Sequence, residues 1–329
     1  MNGPFRVAVN RRPVHGPWGG GNQWLDQMIR FLKNRGCSVR FDFRRPVEII
    51  LMMEPRLEKP ATFNFEEIKE YKIKNPNAAC IHRINENDLH RGSDSWDKLL
   101  AQANQVADWT VFISQWLRDY HAERWFDSAK PHTAILNGAD PATFHPVGSQ
   151  QWRPGQPLRL VTHHWSDNWN KGFRTYQEID RLLAQQELPG LEFWIIGRRP
   201  QEIVFKKAKL FSPQHGAALA RLLRRCHVYV TAARWEPGGM HFIEGLACGL
   251  PVLYHEEGGG IVEVARPCGV GFRDDIRPAI DQMKESYSIL RQAVLSQPPS
   301  GPMMCEAYWH VMKQALEKKG AVKTMAGCR

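Results

Sequence analysis

A chain of 329 residues is long enough for about two domains, and its hydrophobic fraction of 43% is enough to bury a core in each. Its longest apolar run, at positions 49–53, falls far short of the roughly 20 residues that a membrane-crossing helix needs, which excludes one. A net charge of +10 favours anionic partners: a nucleoside diphosphate, an acidic lipid surface or nucleic acid.

The basic residues are scattered as pairs (RR at 11, 44, 198 and 224, KK at 206 and 318), without zinc-finger spacing or an RNP-like aromatic motif, which sets nucleic acid aside. Seven cysteines, at 37, 80, 226, 248, 268, 305 and 328, form an odd set with no C-x-x-C pair. They argue against a disulfide framework or a zinc ribbon and suit a reducing cytoplasm. The opening residues, MNGPFRVAVNRRP, hold no long apolar stretch, so no secretory signal is expected.

Along the chain, short apolar strands alternate with amphipathic helical patterns. A strand is expected at 6–10, then the loop HGPWGGGN, then a helix over 23–35. Further strands are expected at 39–43, 47–53 and 78–82, the last running into HRINEND. Residues 109–114 lead as a strand into a helix over 115–126, and 133–136 end at Asn137-Gly138. The Pro/Gly/Gln-rich segment 140–158 reads as a linker. The alternation then restarts with a strand at 159–163, a helix over 172–186, a strand at 191–196 and a strand end at Leu210. A helix over 216–225, a strand at 227–232, a helix over 239–248, a strand at 251–254 and a helical tail over 304–319 complete it. Such β-α-β alternation predicts two doubly wound α/β domains with parallel sheets and a ligand cleft between them.

The run RWEPGGMHFIEGLACGLPVLYHEEGGG, at 234–260, concentrates the chemistry. Glu236 follows a strand, where ligands bind in such sheets. Gly238 and Gly239 precede a helix whose first amides have no intrahelical partner and attract phosphate or sugar oxygens. Glu244 lies eight residues on, roughly 12 Å along a helix, so the two acids suit opposite ends of one extended ligand. The plainer reading is an acid favouring a helix dipole and a second glutamate on the surface.

This segment resembles the E-x7-E signature of family 4 glycosyltransferases, a group of the GT-B fold that retains anomeric configuration. Two further stretches carry the same resemblance. TAILNGADPATFHP (133–146) is similar to the group's approach to its linker, with Asn137, Gly138, Asp140, Phe144 and Pro146 in place, and Lys171-Gly172 follows the first strand of the second domain. GGGIVE (258–263) is placed like the group's G-G-x-x-E. The resemblance implies two Rossmann-like domains facing a cleft: an acceptor-side domain (1–147), a donor domain (148–300) and a tail (301–329) crossing back to the first.

It also implies roles. Glu244 would hold the ribose and Glu236 would lie beside the donor sugar. The backbone around Gly238, Gly239, Met240 and His241 would meet sugar or phosphate oxygens. Lys171 would neutralise the leaving diphosphate. The glycines Gly19, Gly20 and Gly21 would lie under the phosphates, or form only the tight turn that any strand-to-helix connection there needs. His82 would face the donor sugar from across the cleft, or be an ordinary hydrogen-bonded histidine at a strand end. Arg83, Asn85 and Glu86 fall on the acceptor side, with Arg11, Arg12 and His15 as further candidates there. Trp152, Trp165 and Trp169 are either core or stacking platforms.

One position departs from the resemblance. Where such proteins carry an arginine before the lysine, this chain has Trp165, in THHWSDNWNKG. The second phosphate partner stays open among His163, His164, Arg174, Arg198 and Arg199. His163 and His164 are neighbours on a strand and point to opposite faces, which argues against a shared metal.

The expectation is a cytoplasmic, metal-independent, retaining enzyme without a cofactor, in polysaccharide biosynthesis. It would move a hexose from a nucleoside diphosphate sugar to a glycan or glycolipid acceptor, with peripheral contact to an anionic membrane. A nucleotide-sugar epimerase of the same fold and a catalytically silent carbohydrate-binding scaffold are the alternatives.

Overall fold

The computed structural model describes residues 4–14, 16 and 19–326, with side chains through Gly320. His15 of the acceptor-side candidates and Cys328 lie outside the described residues. The first half of the chain runs β1 (Arg6–Val9), α1 (Gly20–Asn34), β2 (Ser38–Arg40), β3 (Ile49–Met52), α2 (Phe65–Lys74) and β4 (Ala79–Ile84). It continues through α3 (Asp88–Arg91), α4 (Trp96–Asn104), β5 (Trp109–Phe112), α5 (Gln115–Ala122) and β6 (His132–Ala134). The second half runs β7 (Leu158–His164), α6 (Phe173–Ala184), β8 (Leu191–Gly197), β9 (Lys209–Phe211), α7 (Gly216–Leu223), β10 (Val228–Thr231) and α8 (Met240–Ala247). It ends with β11 (Val252–His255), α9 (Gly260–Ala265), β12 (Gly269–Phe272), α10 (Arg277–Ser296) and α11 (Gly301–Ala326).

Two parallel sheets result, ordered β2-β1-β3-β4-β5-β6 and β12-β11-β10-β7-β8-β9. Both have helices on both faces, and the strands show it: β3 (IILM) and β4 (ACIHRI) are buried at every position. In the first sheet the chain reverses direction between β1 and β3, and in the second between β7 and β10. Ligands bind at the carboxyl ends of strands beside such switch points. Here those ends carry Gly19–Gly21, Trp165 and Glu236, and all of them face one cleft.

Helix α11 crosses back to the first domain, where Trp309 stacks on Phe5 with ring centroids 4.5 Å apart and Tyr308 meets Trp24 edge-on at 5.1 Å. The return explains the Asn-Gly pair. Ser300 bridges Ala139, and a side chain at Gly138 would fall on the Ser300 backbone.

Several elements differ from their expected bounds. Helix α1 starts at Gly20, directly out of the glycine loop, and the tail helix runs longer at both ends than 304–319. The pattern reading passes over α2, α3, α4, α9, β12 and α10. Helix α2 is fixed by its start, because Asn64 and Glu67 form a capping box, while it buries Phe65, Ile68 and Tyr71 alone. Strand β4 runs two residues past the expected end at His82, which changes where that side chain points. Among the described residues no helix is long and apolar enough to cross a membrane.

Candidate functional site

A cavity of about 340 Å³ lies between the domains, and a smaller one of about 60 Å³ continues from it into the second domain. Gly19, Gly20, His164, Trp165, Met240 and His241 line both, so the two form one cleft. Hydrogen bonds between side chains and backbone hold its walls together. Ser114 Oγ donates to the Pro237 carbonyl at 2.5 Å, and Asn137 Nδ2 donates to that of Gly238 at 2.6 Å. Asn87 Nδ2 donates to the Trp235 carbonyl at 3.0 Å, and Asn168 Nδ2 to that of His90 at 3.1 Å. The Glu263 carboxylate, from GGGIVE, accepts from the Gln115 amide at the start of α5 at 3.0 Å.

At the large end stands Glu236, buried just beyond β10. Trp235 before it is held at φ +53°, a conformation costly for a bulky side chain and tolerated where a surrounding structure imposes it. Lys171 Nζ lies 2.5 Å from Glu236 Oε2, and His90 Nε2 lies 3.3 Å from the same oxygen. Burial alone would raise the Glu236 carboxyl, but His90 and Lys171 outweigh it and hold its pKa at about 2. His90 itself is pushed below its usual value by burial, against the opposing pull of the Glu236 carboxylate, and its Nδ1 lies 3.1 Å from the Arg234 carbonyl. Lys171 ends a single turn, Trp169–Lys171, and Gly172 follows at φ +94° against Ala232, where a side chain has no room.

The glycines set the close approaches. A Cβ on Gly239 would fall on the His241 imidazole, and one on Gly20 would lie 2.7 Å from Met240 Cβ. Gly259 and Gly260 let the start of α9 lie against the backbone of Glu236 and Pro237, with Gly260 N donating to the Glu236 carbonyl at 2.9 Å. Helix α8 begins at Met240 with no side-chain cap, so its first amides are free for an anion at this end of the cleft.

At the small end Glu244 is almost wholly buried. Its Oε2 lies 2.9 Å from His163 Nε2, and its Oε1 is buried with no partner among the described residues. An Nε2–H tautomer of His163 donates to Glu244 and accepts at Nδ1 from Tyr229 Oη, 3.0 Å away. His164 turns the other way, its Nε2 2.9 Å from both Thr162 Oγ1 and Tyr176 Oη. Among the described residues no cluster of histidine, cysteine or acidic side chains is grouped to hold a metal.

The structure therefore brings Gly20, Gly21, Lys171, Glu236, Gly238, Gly239, Met240, His241 and Glu244 to one cleft. It does not bring His82 there. His82 lies inside β4 with no exposed surface, its Nδ1 3.0 Å from Asn104 Nδ2 of α4, and burial lowers its pKa to about 3. Side chains alternate along a strand, so Arg83 takes the cleft face and His82 the opposite one. The histidine facing Glu236 from the first domain is His90. Its signal in the sequence is Asn87, whose side chain accepts from the His90 amide at 2.7 Å and caps a helix too short to show a period.

Arg83, Asn85 and Glu86 line the cavity. Arg11 instead pairs with Glu54 at 3.1 Å, and Arg12 lies over Phe41. Trp165 is a cleft residue, and the Arg198 guanidinium stacks on its ring at 4.8 Å, while Arg174 and Arg199 are exposed away from both cavities. Trp152 packs on Tyr287, and Trp169 donates to Glu202 at 3.1 Å, so neither is a platform in the cleft.

Residues 168–285 match the model of a family described as glycosyl transferases group 1. The match runs from just before α6 into the first half of α10 and includes Lys171, Glu236 and Glu244. Among solved structures, the chain is similar to a glycosyltransferase from Rickettsia africae ESF-5, with a TM-score of 0.65 and 15% identity over 94% of this chain and 98% of that one. It is also similar to the catalytic domain of starch synthase IV from Arabidopsis thaliana bound to ADP and acarbose, with a TM-score of 0.66 and 11% identity over 96% and 100%. A third similar structure is Anabaena Alr3699/HepE in complex with UDP-glucose, with a TM-score of 0.64 and 13% identity over 94% and 100%. At such identities the likeness establishes the fold. No curated protein matches the sequence.

Proposed function

We propose that this chain is a glycosyltransferase, from its GT-B-like fold and the match of its second domain to the glycosyl transferases group 1 model, and that it carries out a specific reaction. It moves a hexose from a nucleoside diphosphate sugar to a glycan or glycolipid acceptor, with retention of configuration and without a metal ion. The observation that carries this reading is the pair of ends of one cleft: an orphaned carboxylate oxygen on Glu244 and the Lys171–Glu236–His90 cluster.

Glu244 Oε1 suits the ribose hydroxyls, which would supply the missing donors. The diphosphate then lies across the start of α8, with Lys171 as its cation. As the bond to the anomeric carbon breaks, Lys171 and the α8 amides stabilise charge on the leaving phosphate. Glu236, kept ionised, steadies positive charge developing on the sugar ring, and His90 fixes that carboxylate. A net charge of +10 suits a cytoplasmic enzyme working at an anionic membrane face, where a glycolipid acceptor would be found.

A panel of nucleotide sugars with EDTA tests the reading by thermal shift and product analysis. One donor should stabilise the chain without metal and be consumed faster when an acceptor is present. An epimerised donor, formed with no acceptor, would point to the epimerase instead. Binding without turnover would point to a silent scaffold.

A further inference from the structure

Arg83 lines the large cavity from β4 and is only 2% exposed. Its Nη2 donates to Asn137 Oδ1 at 3.1 Å, and its guanidinium covers the Trp24 ring at 4.6 Å. Its Nε and Nη1 are buried with no hydrogen-bond partner among the described residues. The Tyr308 hydroxyl lies near it outside hydrogen-bond geometry and stays neutral, since burial raises that phenol to about 12. Other arginines of the first domain are matched: Arg6 by Glu48, Arg11 and Arg56 by Glu54, and Arg30 by Asp140. A guanidinium does not shed its proton, so one buried without an anion is a costly arrangement. Burial accordingly pulls the pKa of Arg83 down, against Tyr308 and Glu86.

A second cation from the first domain lines the same cavity. Arg91, the last residue of α3, lies over the Trp96 ring at 4.1 Å with its side chain 40% exposed. Its partner Glu86 is 3.7 Å from Nη1, beyond hydrogen-bond distance. Burial raises Glu86 to about 7, so that carboxyl is only about half ionised at neutrality. Lys171 and the first amides of α8, which provide for the donor's diphosphate, belong to the second domain. Arg83 and Arg91 are therefore cations in excess of what the diphosphate and the cavity's own acids require.

We propose that the large end of the cleft takes an anionic sugar: a carboxylate or phosphate group, on the transferred sugar or on the acceptor, is received by Arg83 and Arg91. This rests on the transferase reading above. A guanidinium matches the oxygens of carboxylates and phosphates, and such charge-assisted hydrogen bonds are about twice as strong as neutral ones. Trp24 and Asn137 hold Arg83 in place before the substrate arrives, so little freedom is lost when it binds. A neutral hexose could offer hydroxyl oxygens to the orphaned donors but would leave the buried charge uncompensated. A site built around such a group turns away the analogue that lacks its partner.

The test uses the full chain, Arg83→Met, which keeps the stem and removes the charge, and Arg91→Gln on the exposed side chain. Calorimetry with UDP, ADP and GDP first finds the nucleotide that binds. That nucleotide is then compared as its hexose and as its hexuronic acid, which probes the transferred sugar. Glucose, glucose 6-phosphate and glucuronic acid are titrated into the nucleotide complex, which probes the acceptor. In one of the two arms wild type should bind a charged probe at least about tenfold more tightly than its neutral counterpart, and added salt should shrink that preference. Arg83→Met should lose the preference and Arg91→Gln part of it, with affinity for the bare nucleotide unchanged in both. The melting temperature of ligand-free Arg83→Met should hold, because the charge removed was uncompensated. Nucleotide binding by wild type with no charge preference in either arm would overturn this inference alone, as would variants that keep the preference. Weaker binding of the bare nucleotide by Arg83→Met would assign the guanidinium to the diphosphate and overturn it too. Absence of nucleotide binding by wild type would overturn the transferase reading and this with it.

Discussion

Glu244 offers the sharpest residue-level consequence. Its orphaned Oε1 is expected to accept one or two hydrogen bonds from ribose, worth about 1.5–3 kcal/mol each when an acceptor is charged. Glu244→Gln keeps the shape and a partner for His163, so it should weaken nucleoside diphosphate binding by about that much while the melting temperature holds. Calorimetry with unaltered affinity and an intact fold would make Glu244 a purely structural partner of His163. The two histidines of the HRINENDLH stretch separate in the same spirit. His90→Ala should cut turnover about 100-fold, the scale of losing one positioned polar group, with little change in affinity for the bare nucleotide. His82→Ala should instead cost about 1–3 kcal/mol of stability and leave turnover of the folded enzyme intact, as measured by denaturation beside steady-state kinetics.

At the scale of elements, glycine geometry divides the motifs into those that shape the site and those that shape the fold. Gly239→Ala would press on the His241 ring at the start of α8, so a fall in nucleotide affinity is expected. Gly138→Ala would press on the Ser300 backbone, and Gly138 is not among the residues that line the cleft, so a cost of about 1–3 kcal/mol in stability with affinity unchanged is expected. If Gly138→Ala weakened nucleotide binding more than Gly239→Ala, this division would be wrong. The same glycines explain why so much of the donor side was legible in the sequence. Glu236, Gly239, Glu244 and Lys171-Gly172 sit in contiguous stretches whose local backbone demands are written in the residues themselves. His90 and His82 were not legible, because each depends on where an element ends. Strand β4 runs two residues past His82, which leaves His82 inside the strand, where alternation puts it on the face opposite Arg83. Helix α3 is four residues long and shows its place through a cap rather than a period. Most of the remaining unread helices, α2, α4 and α10, lie away from the cleft and owe their position to packing against the sheets.

For the molecule as a whole, the buried histidines predict an acid-sensitive fold. Burial lowers His82 to about 3 and both His121 and His227 to about 4, with His164 and His241 well below their usual values. The unfolded chain protonates these groups near pH 6.5 and the native chain does not, so stability is full above that pH and falls below it. Each contributes about 1.4 kcal/mol per pH unit between its unfolded and folded values. Glu86 works in the opposite sense: its raised pKa favours the fold below the ordinary carboxylate range and loses that advantage as pH rises through about 7. Thermal denaturation should therefore show a steep loss of stability between neutral pH and pH 4, and a flat profile there would contradict the buried, neutral state of these rings. The two sheets, the crossing α11 and the hydrogen bonds between the domains frame one cleft, with Glu244 lining its small end and Glu236 its large end. The most direct test of that arrangement is calorimetric titration of wild type and Glu244→Gln with UDP, ADP and GDP in the presence of EDTA. One nucleotide should bind wild type without metal and bind Glu244→Gln at least about tenfold more weakly, the loss that 1.4 kcal/mol represents. Binding that requires Mg²⁺ or Mn²⁺, or that ignores Glu244, would contradict it.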